Sequence, residues 1–480
     1  MTDAPPAARA DLVVEGGVVI AMDAARRVIP DGAVAVRDGR VLAVGPREAV
    51  ARDHPDPRER LDARGKAVLP GLVDAHAHAG HGLVKTLANG DSDAWMEACR
   101  VIYTLASPPA FWRAEAALAA LERLRFGVTT GVSLLGGGDS VMRSDDPAFA
   151  DAHCEAVRAV GTRSVVALGP TRPPHPRAYV GADGVERAVS FERQVETTEE
   201  VIRRWHGRDG IRIATLTPVE RPLEHGGDAA RSREAERQAR IARELGQRHG
   251  CLFHQDGHRA GSVELARRWG LTGPDAFFSH CTELTEADMD AFAETGTAVV
   301  HNPSAIASVQ GYCPAVALVE RGVTVAVGSD ATAPDRSADM FRHMFMAMRY
   351  QQRHHRDARV LPPGKALEMC TVDAARALGM ADEVGSLEPG KAADLITVDL
   401  SAPHMAPANM PVARVVCFAS GHDVRDVLVG GRVLLRDGAF VGADRAGIVA
   451  EAEREAAAML ARAGLAHLAV EDPGWGRTRR

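Results

Sequence analysis

Between residues 72 and 328 the chain alternates short apolar runs with longer amphipathic ones, and no other feature constrains its fold as strongly. Strands are expected at residues 72–78, 128–132, 163–167, 211–215, 251–254, 276–280, 298–301 and 323–328. Helices fit the intervening stretches, among them 111–125, 194–205, 232–247, 262–269 and 339–349. Strands separated by helices pair in parallel with the helices outside. Eight such units make a closed barrel of normal size. A doubly wound open sheet is the competitor, but no Gly-x-Gly-x-x-Gly turn follows any early strand. The expected fold class is therefore α/β, a (β/α)8 TIM-like barrel.

Both chain ends read differently. Residues 11–20 and 32–45 form strands and a hairpin, with Asp38-Gly39 as its turn, and a basic, proline-containing connector follows over 46–60. After a helix at 367–378, strands are expected at 393–398 and 412–417, then a hairpin over 424–438 with turns at Gly430-Gly431 and Asp437-Gly438. Two similar β-rich ends flanking a barrel imply one small composite β-sandwich built from both. The expected layout is an N-terminal sandwich part over 1–65, the barrel over 66–380, a C-terminal sandwich part over 381–445 and a helical tail over 446–480. Thr285 and Asp288 resemble a helix-opening capping box. Residues 170–184 and 216–230 read as long loops on the face where a barrel keeps its substrate contacts.

Composition narrows the class. Apolar content of 46%, charged content of 25% and a net charge of -7 describe a soluble globular protein with a large core and no nucleic-acid-binding surface. Neither a secretory signal nor a membrane-spanning run is visible. Seven scattered cysteines without a Cys-x-x-Cys pair read as reduced thiols, which places the chain in the cytoplasm.

The chemistry is expected at strand ends. His76 and His78 are two apart, so an extended chain presents both imidazoles on one side. His254, His280 and Asp330 end or follow three other barrel strands, and all such ends open into one mouth. The set His76, His78, His254 and Asp330 offers three imidazoles and a carboxylate to a divalent ion. His280 is placed to contact its water or the substrate.

Several motifs carry a family resemblance. Pro70-Gly71-Leu72-Val73-Asp74-Ala75-His76-Ala77-His78, Gly127-Val128-Thr129-Thr130, Ser279-His280-Cys281, Val300-His301-Asn302-Pro303-Ser304, Gly328-Ser329-Asp330 and the segment from Gly385 to Leu395 occur in order across nearly the whole chain. The chain resembles the amidohydrolase superfamily, in its cytosine deaminase and chlorohydrolase-like branch, which includes S-adenosylhomocysteine deaminases, guanine deaminase and triazine hydrolases. The resemblance implies one metal, Zn2+ or alternatively Fe2+, on His76, His78, His254 and Asp330. No lysine ends the 211–215 strand to bridge a second ion. It further implies attack of a metal-bound hydroxide on an electron-poor ring carbon, with Asp330 accepting the proton and His280 stabilising the adduct. The implied activity is deamination of a small N-heterocyclic substrate by a homodimer or higher homo-oligomer, with no membrane or nucleic-acid partner. Dechlorination, dealkylamination or cyclic-amide hydrolysis is the alternative, and an inactive scaffold the remaining one.

One departure stands out. Deaminases of this kind carry Glu three residues after the third metal histidine, where this chain has Gly257. Asp256 and His258 are the nearest replacements, both on the side of His254 if the strand continues, and His258 is preferred because imidazole gives and takes protons near neutrality. Trp95, His301, His81, Lys85 and Arg336 complete the expected substrate contacts.

Overall fold

The computed structural model describes residues 9–136, 142–221, 229–305, 311–331 and 335–478. Eight parallel strands form the barrel sheet: β1 (Leu72–Asp74), β2 (Val128–Leu134), β3 (Arg163–Leu168), β4 (Ile211–Leu216), β5 (Leu252–Gln255), β6 (Ala276–Ser279), β7 (Ala298–His301) and β8 (Val325–Val327). Each pairs in parallel with its sequence neighbour. The seam between β8 and β1 closes just past the strands, where Asp330 N–H donates to the His76 carbonyl at 2.8 Å. A helix follows every strand, from Pro109–Arg125 after β1 to Met340–His355 after β8. The alternation read from the sequence is the one observed, because β-branched and aromatic runs buried on both faces leave parallel pairing under helices as the stable layer.

Both ends of the chain share one nine-stranded sheet beside the barrel. Lys66–Pro70 lies at its centre, between Leu12–Ile20 from the N-terminal part and Leu395–Asp399 from the C-terminal part. Leu12, Val14, Val34, Leu61, Leu395 and Leu428, from strands spread across this sheet, share one core, and the sheet curls so that the Gly39 carbonyl of the N-terminal hairpin turn takes Ala393 N–H of the C-terminal part at 2.9 Å. The Asp38-Gly39, Gly430-Gly431 and Asp437-Gly438 pairs all have positive φ at both residues, the type I′ geometry expected of two-residue hairpins. Asp394 joins the two bodies: its carboxylate takes Arg163 Nε of β3 at 2.8 Å and Gly430 N–H at 2.7 Å.

Pro70-Gly71 is the switch between sheets rather than a simple turn. The chain leaves the composite sheet at Pro70 and enters the barrel at Leu72, with Gly71 pressed against β2. A Cβ on Gly71 would stand 2.2 Å from Thr129 Oγ1, so only glycine fits. The capping box is present at Thr285 and Asp288.

Four local expectations are corrected. Residues 412–417 are helical, inside Pro411–Phe418, with proline at the first turn and Arg414 buried beneath it, donating to the Leu400 and Met405 carbonyls. The 367–378 helix is two, Pro363–Met369 and Val372–Ala377. The connector holds a helix, Arg47–Asp53, and a strand, Glu59–Asp62. In the 170–184 loop, Arg177–Val180 pairs with Glu186–Val189 as a hairpin. Part of the 216–230 loop, residues 222–228, lies outside the described residues.

Candidate metal centre

Strand β1 ends at Asp74, so the two motif histidines stand on extended chain beyond it. Asp74, His76 and His78 follow one another at period two. Asp74 is fully buried, and its carboxylate takes Ser329 N–H at 2.8 Å and Ser329 Oγ–H at 2.6 Å. This pins the residue before Asp330 to the residue two before His76. Arg123 Nη2 lies 3.6 Å from the same carboxylate.

Across that seam the side chains converge. His78 Nε2 is 3.0 Å from Asp330 Oδ1, and His76 Nε2 is 3.5 Å from it. Asp256 enters from β5, its Oδ1 3.4 Å from His76 Nε2 and 3.1 Å from His280 Nε2, its Oδ2 3.7 Å from His78 Nε2. Two donors bound tetrahedrally to one ion at ordinary Zn–N and Zn–O distances stand about 3.3 Å apart, so these separations suit a shared cation.

The hydrogen-bond state of the imidazoles fits the same use. His78 Nδ1 faces the Gly136 carbonyl at 2.9 Å and His254 Nδ1 faces the Phe277 carbonyl at 2.7 Å. Both Nδ1 atoms therefore carry a proton, which leaves Nε2 as the ring atom each histidine turns toward the cluster. Both His76 nitrogens and His254 Nε2 are buried without a hydrogen-bond partner. Buried polar atoms are seldom left bare, and bare imidazole nitrogens beside two carboxylates match a transition-metal donor set. His254, its ring 5.4 Å from that of His76, belongs to neither of the two donor sets that gather here among the described residues, His76 with Asp256 and His280, and His76 with His78 and Asp330.

Electrostatics follow from burial against charge. Burial works against ionising Asp256, but the histidines His76, His280 and His78 outweigh it and hold the carboxyl well below the usual range. Asp330 is held low in the same way by His76 and His78 against its burial. Burial opposes protonation of His78 too, yet its bond to Asp330 and the charge of Asp256 push it up to about 9. His254 is pushed down to about 3 by burial, reinforced by His76.

Backbone strain marks the same rim. Asp330 has φ of 53° and His280 of 64°, left-handed conformations that non-glycine residues adopt at a cost of about 1–3 kcal/mol each. The strain turns both side chains into the mouth.

The remaining expected site residues divide. His81 stacks on His78 with ring centroids 4.4 Å apart, and its Nδ1 meets the Tyr103 hydroxyl at 2.7 Å. Arg336 Nε lies 3.8 Å from Asp330 Oδ2 and donates to the Ser304 carbonyl at 3.1 Å. His301 is fully buried with both nitrogens bare. Trp95 is buried behind His81, its indole N–H held by the Val84 carbonyl, so it backs the site rather than facing it. Lys85 is correspondingly spent, its ammonium 2.7 Å from Glu122 Oε2.

The structure does not bring His258 to the cluster. Its ring stacks on Phe278 at 4.2 Å, its Nδ1 meets Ser262 Oγ at 2.9 Å, and it is fully buried. Burial pushes it down to about 3, which removes the near-neutral proton exchange that favoured it. Strand β5 does not continue, because Gly257 turns the chain with φ of 96°. Asp74 and Tyr103 were missed. Period two from His76 would have flagged Asp74, while Tyr103, in the π-helical turn Ile102–Ala106, carries no local signal.

An eight-stranded parallel barrel with a histidine and aspartate cluster at its strand ends has the layout of a barrel hydrolase with donors suited to a divalent ion. The chain belongs to the amidohydrolase family, whose model matches residues 67–434. Over residues 32–56 it also matches a bacterial imidazolonepropionase-like composite domain. It is 32% identical over 446 residues to a 5-methylthioadenosine/S-adenosylhomocysteine deaminase of Syntrophobacter fumaroxidans, covering 89% of this chain and 94% of that one. Among solved structures, a zinc-bound adenosine deaminase from Xanthomonas campestris superposes with a TM-score of 0.81 at 27% identity, over 95% and 100% of the two chains. The zinc complex of atrazine chlorohydrolase from Arthrobacter aurescens, at 19% identity and a TM-score of 0.77 over 93% and 100%, shares the fold. The chain is thus a hydrolase acting on carbon–nitrogen bonds other than peptide bonds. Among the described residues no helix is long and apolar enough to cross a membrane.

Proposed function

We propose that the chain is a one-metal deaminase of adenosine-type nucleosides, holding Zn2+, with Fe2+ as the alternative, on His76, His78, His254 and Asp330. The observation that carries this reading is the bare, buried His76 Nε2 facing two carboxylates, Asp256 at 3.4 Å and Asp330 at 3.5 Å, at the barrel mouth. A divalent ion bound there supplies a water of lowered pKa and a positive charge against which negative charge can develop.

The chain's own residues do the rest. Asp330, tied by Ser329 to Asp74, stands where it can accept a proton from water. His280 aims Nε2 into the cluster and serves as a donor to the adduct. His81 and Arg336 border the ligands from the two sides and are the substrate contacts best placed by geometry. The sugar-bearing substrate class rests on the deaminases the chain resembles over nearly its full length.

Zinc-loaded protein tested with adenosine, 5′-methylthioadenosine and S-adenosylhomocysteine should release ammonia from at least one. A second reading, displacement of chloride from a triazine, is favoured by Gly257, which leaves the usual glutamate place without a side chain. Chloride release from atrazine with no ammonia from any nucleoside would replace the first reading with the second.

A further inference from the structure

We infer that the C-terminal tail is a working part of the site: it straps down the loop that follows β1 and carries His81, and Asn89 is the positioning residue through which it does so. This rests on the hydrolase reading above, in which His81 borders the substrate, and adds to it a residue and a segment remote from the metal centre.

The loop does not hold its own shape. Residues 81–106 run through the turns His81–Leu83 and Leu87–Gly90, the helix Ser92–Val101 and the π-helical turn Ile102–Ala106. Thr86, Ala88 and Asn89 all take left-handed φ, of 63°, 61° and 53°. Asparagine tolerates that region, whereas threonine and alanine enter it only under constraint from outside. His81 is tied to the far end of the same loop, its Nδ1 2.7 Å from the Tyr103 hydroxyl, so the path between the two sets where its ring stands.

The constraint comes from the other end of the chain. Asn89 Nδ2 donates to the Val470 carbonyl at 2.7 Å, and Asp472 N–H donates to Asn89 Oδ1 at 2.9 Å. One side-chain amide thus pairs with a carbonyl and the N–H two residues on, as a parallel neighbouring strand would. At the end of the loop Arg462 Nε donates to the Ala106 carbonyl at 3.0 Å. Arg462 lies in the last turn of the helix Arg445–Ala463, and the turn Ala466–Ala469 leads from that helix to the Asn89 clasp. One C-terminal element therefore grips the loop at two points. Between loop and tail lies a cleft of about 750 Å³, walled by Leu83, Leu87, Leu460, Leu468 and Val470, so directed bonds rather than close packing do the holding there. The family model ends at residue 434, and the strap lies beyond it.

The wall of the mouth thus has a weak outer clasp. Without it Thr86 and Ala88 relax toward ordinary backbone and the turn bearing His81 moves with them. Asp74 still ties β1 to Ser329, and Gly136 still holds His78, so the metal cluster stays in place. Substrate binding is lost before chemistry is.

The test compares zinc-loaded, full-length wild type with Asn89→Gly, Arg462→Met and Trp475→Ser. Asn89→Gly keeps the left-handed turn and removes both bonds of the clasp. Arg462→Met frees the Ala106 carbonyl, and Trp475, 87% exposed on the tail, serves as the control. Amide hydrogen exchange followed by mass spectrometry, zinc per chain, urea midpoint, and kcat and KM on the substrate that wild type hydrolyses are read. Expected for Asn89→Gly is exchange across 86–106 faster by about 5- to 30-fold, the worth of one or two hydrogen bonds in a local opening, with KM raised about as much and kcat within about threefold. Zinc stays near one per chain and the urea midpoint does not move. Arg462→Met should speed exchange at 102–106, and Trp475→Ser should match wild type. Faster exchange confined to the tail, or an Asn89→Gly KM equal to that of wild type, would overturn the proposal. A wild type that hydrolyses neither the nucleosides nor atrazine fails the reading above instead. Exchange across 86–106 then decides the strap alone, faster in Asn89→Gly supporting it and unchanged overturning it.

Discussion

Replacing Asp74 should loosen the barrel and the metal centre together. Its carboxylate accepts two hydrogen bonds from Ser329, at 2.8 and 2.6 Å, in a fully buried setting, and faces the buried guanidinium of Arg123 at 3.6 Å. Hydrogen bonds to a charged group contribute about 1.5–3 kcal/mol each. Stranding one partner of a buried ion pair costs about 3–5 kcal/mol. The two effects share one carboxylate and do not add, so Asp74→Ala should lower stability by about 4 kcal/mol. Asp74→Asn keeps an acceptor for Ser329 N–H and a group that meets its hydroxyl, and should cost about half as much. Because Ser329 precedes Asp330, both variants should also weaken zinc binding by about 10- to 100-fold, as loss of a supporting hydrogen bond does at metal sites. Urea unfolding of the metal-free proteins, followed by circular dichroism, reads the first quantity, and competition with a chromogenic chelator reads the second. An Asp74→Ala protein within about 1 kcal/mol of wild type, with zinc affinity unchanged, would refute the idea that this seam positions the ligands.

Three further outcomes follow from close packing and burial. Gly328→Ala would put a Cβ 2.6 Å from that of His76 and 2.5 Å from Asn302 Oδ1, so zinc per chain should fall below half on purification; full occupancy by elemental analysis would contradict this. Gly71→Ala drives a methyl into Thr129 and should destabilise by about 1–3 kcal/mol, with partial recovery in the Gly71→Ala, Thr129→Ala double variant when thermal unfolding is compared. His153, buried with both nitrogens bare in Pro147–Val160, is pushed down to about 3 by burial, with Arg123 adding to the effect. Its unfolded form binds a proton below about 6.5, so the folded state loses stability as pH falls through that value, by up to about 1.4 kcal/mol per unit. His153→Met should make that slope shallower in urea midpoints measured from pH 7 to pH 5, since His254 and His258 keep their own shares, and parallel curves for the two proteins would count against it.

How much of this was legible depends on which residue carried the signal. The barrel was, since Val128–Leu134 or Val325–Val327 can hardly be anything but buried strands between helices. Residues 412–417 misled because Val-Ala-Arg-Val-Val-Cys suits either period, and only packing of Arg414 against distant carbonyls decides for the helix. That His76, His78 and Asp330 meet at the barrel mouth was legible from strand-end placement and from the family motifs. That Asp256 and not His258 reaches the histidines was not, because alternation puts both on one side and a single backbone angle at Gly257 separates them. Tyr103 had no pattern to betray it, since its partner His81 is met only through the fold.

The position of the metal decides which of these side chains are ligands. Anomalous diffraction at the zinc edge from crystals of the loaded protein should show one peak per chain, about 2.0–2.2 Å from Nε2 of His76, His78 and His254 and from the Asp330 carboxylate. Two peaks, or a single peak ligated by Asp256 and His280 instead, would contradict it.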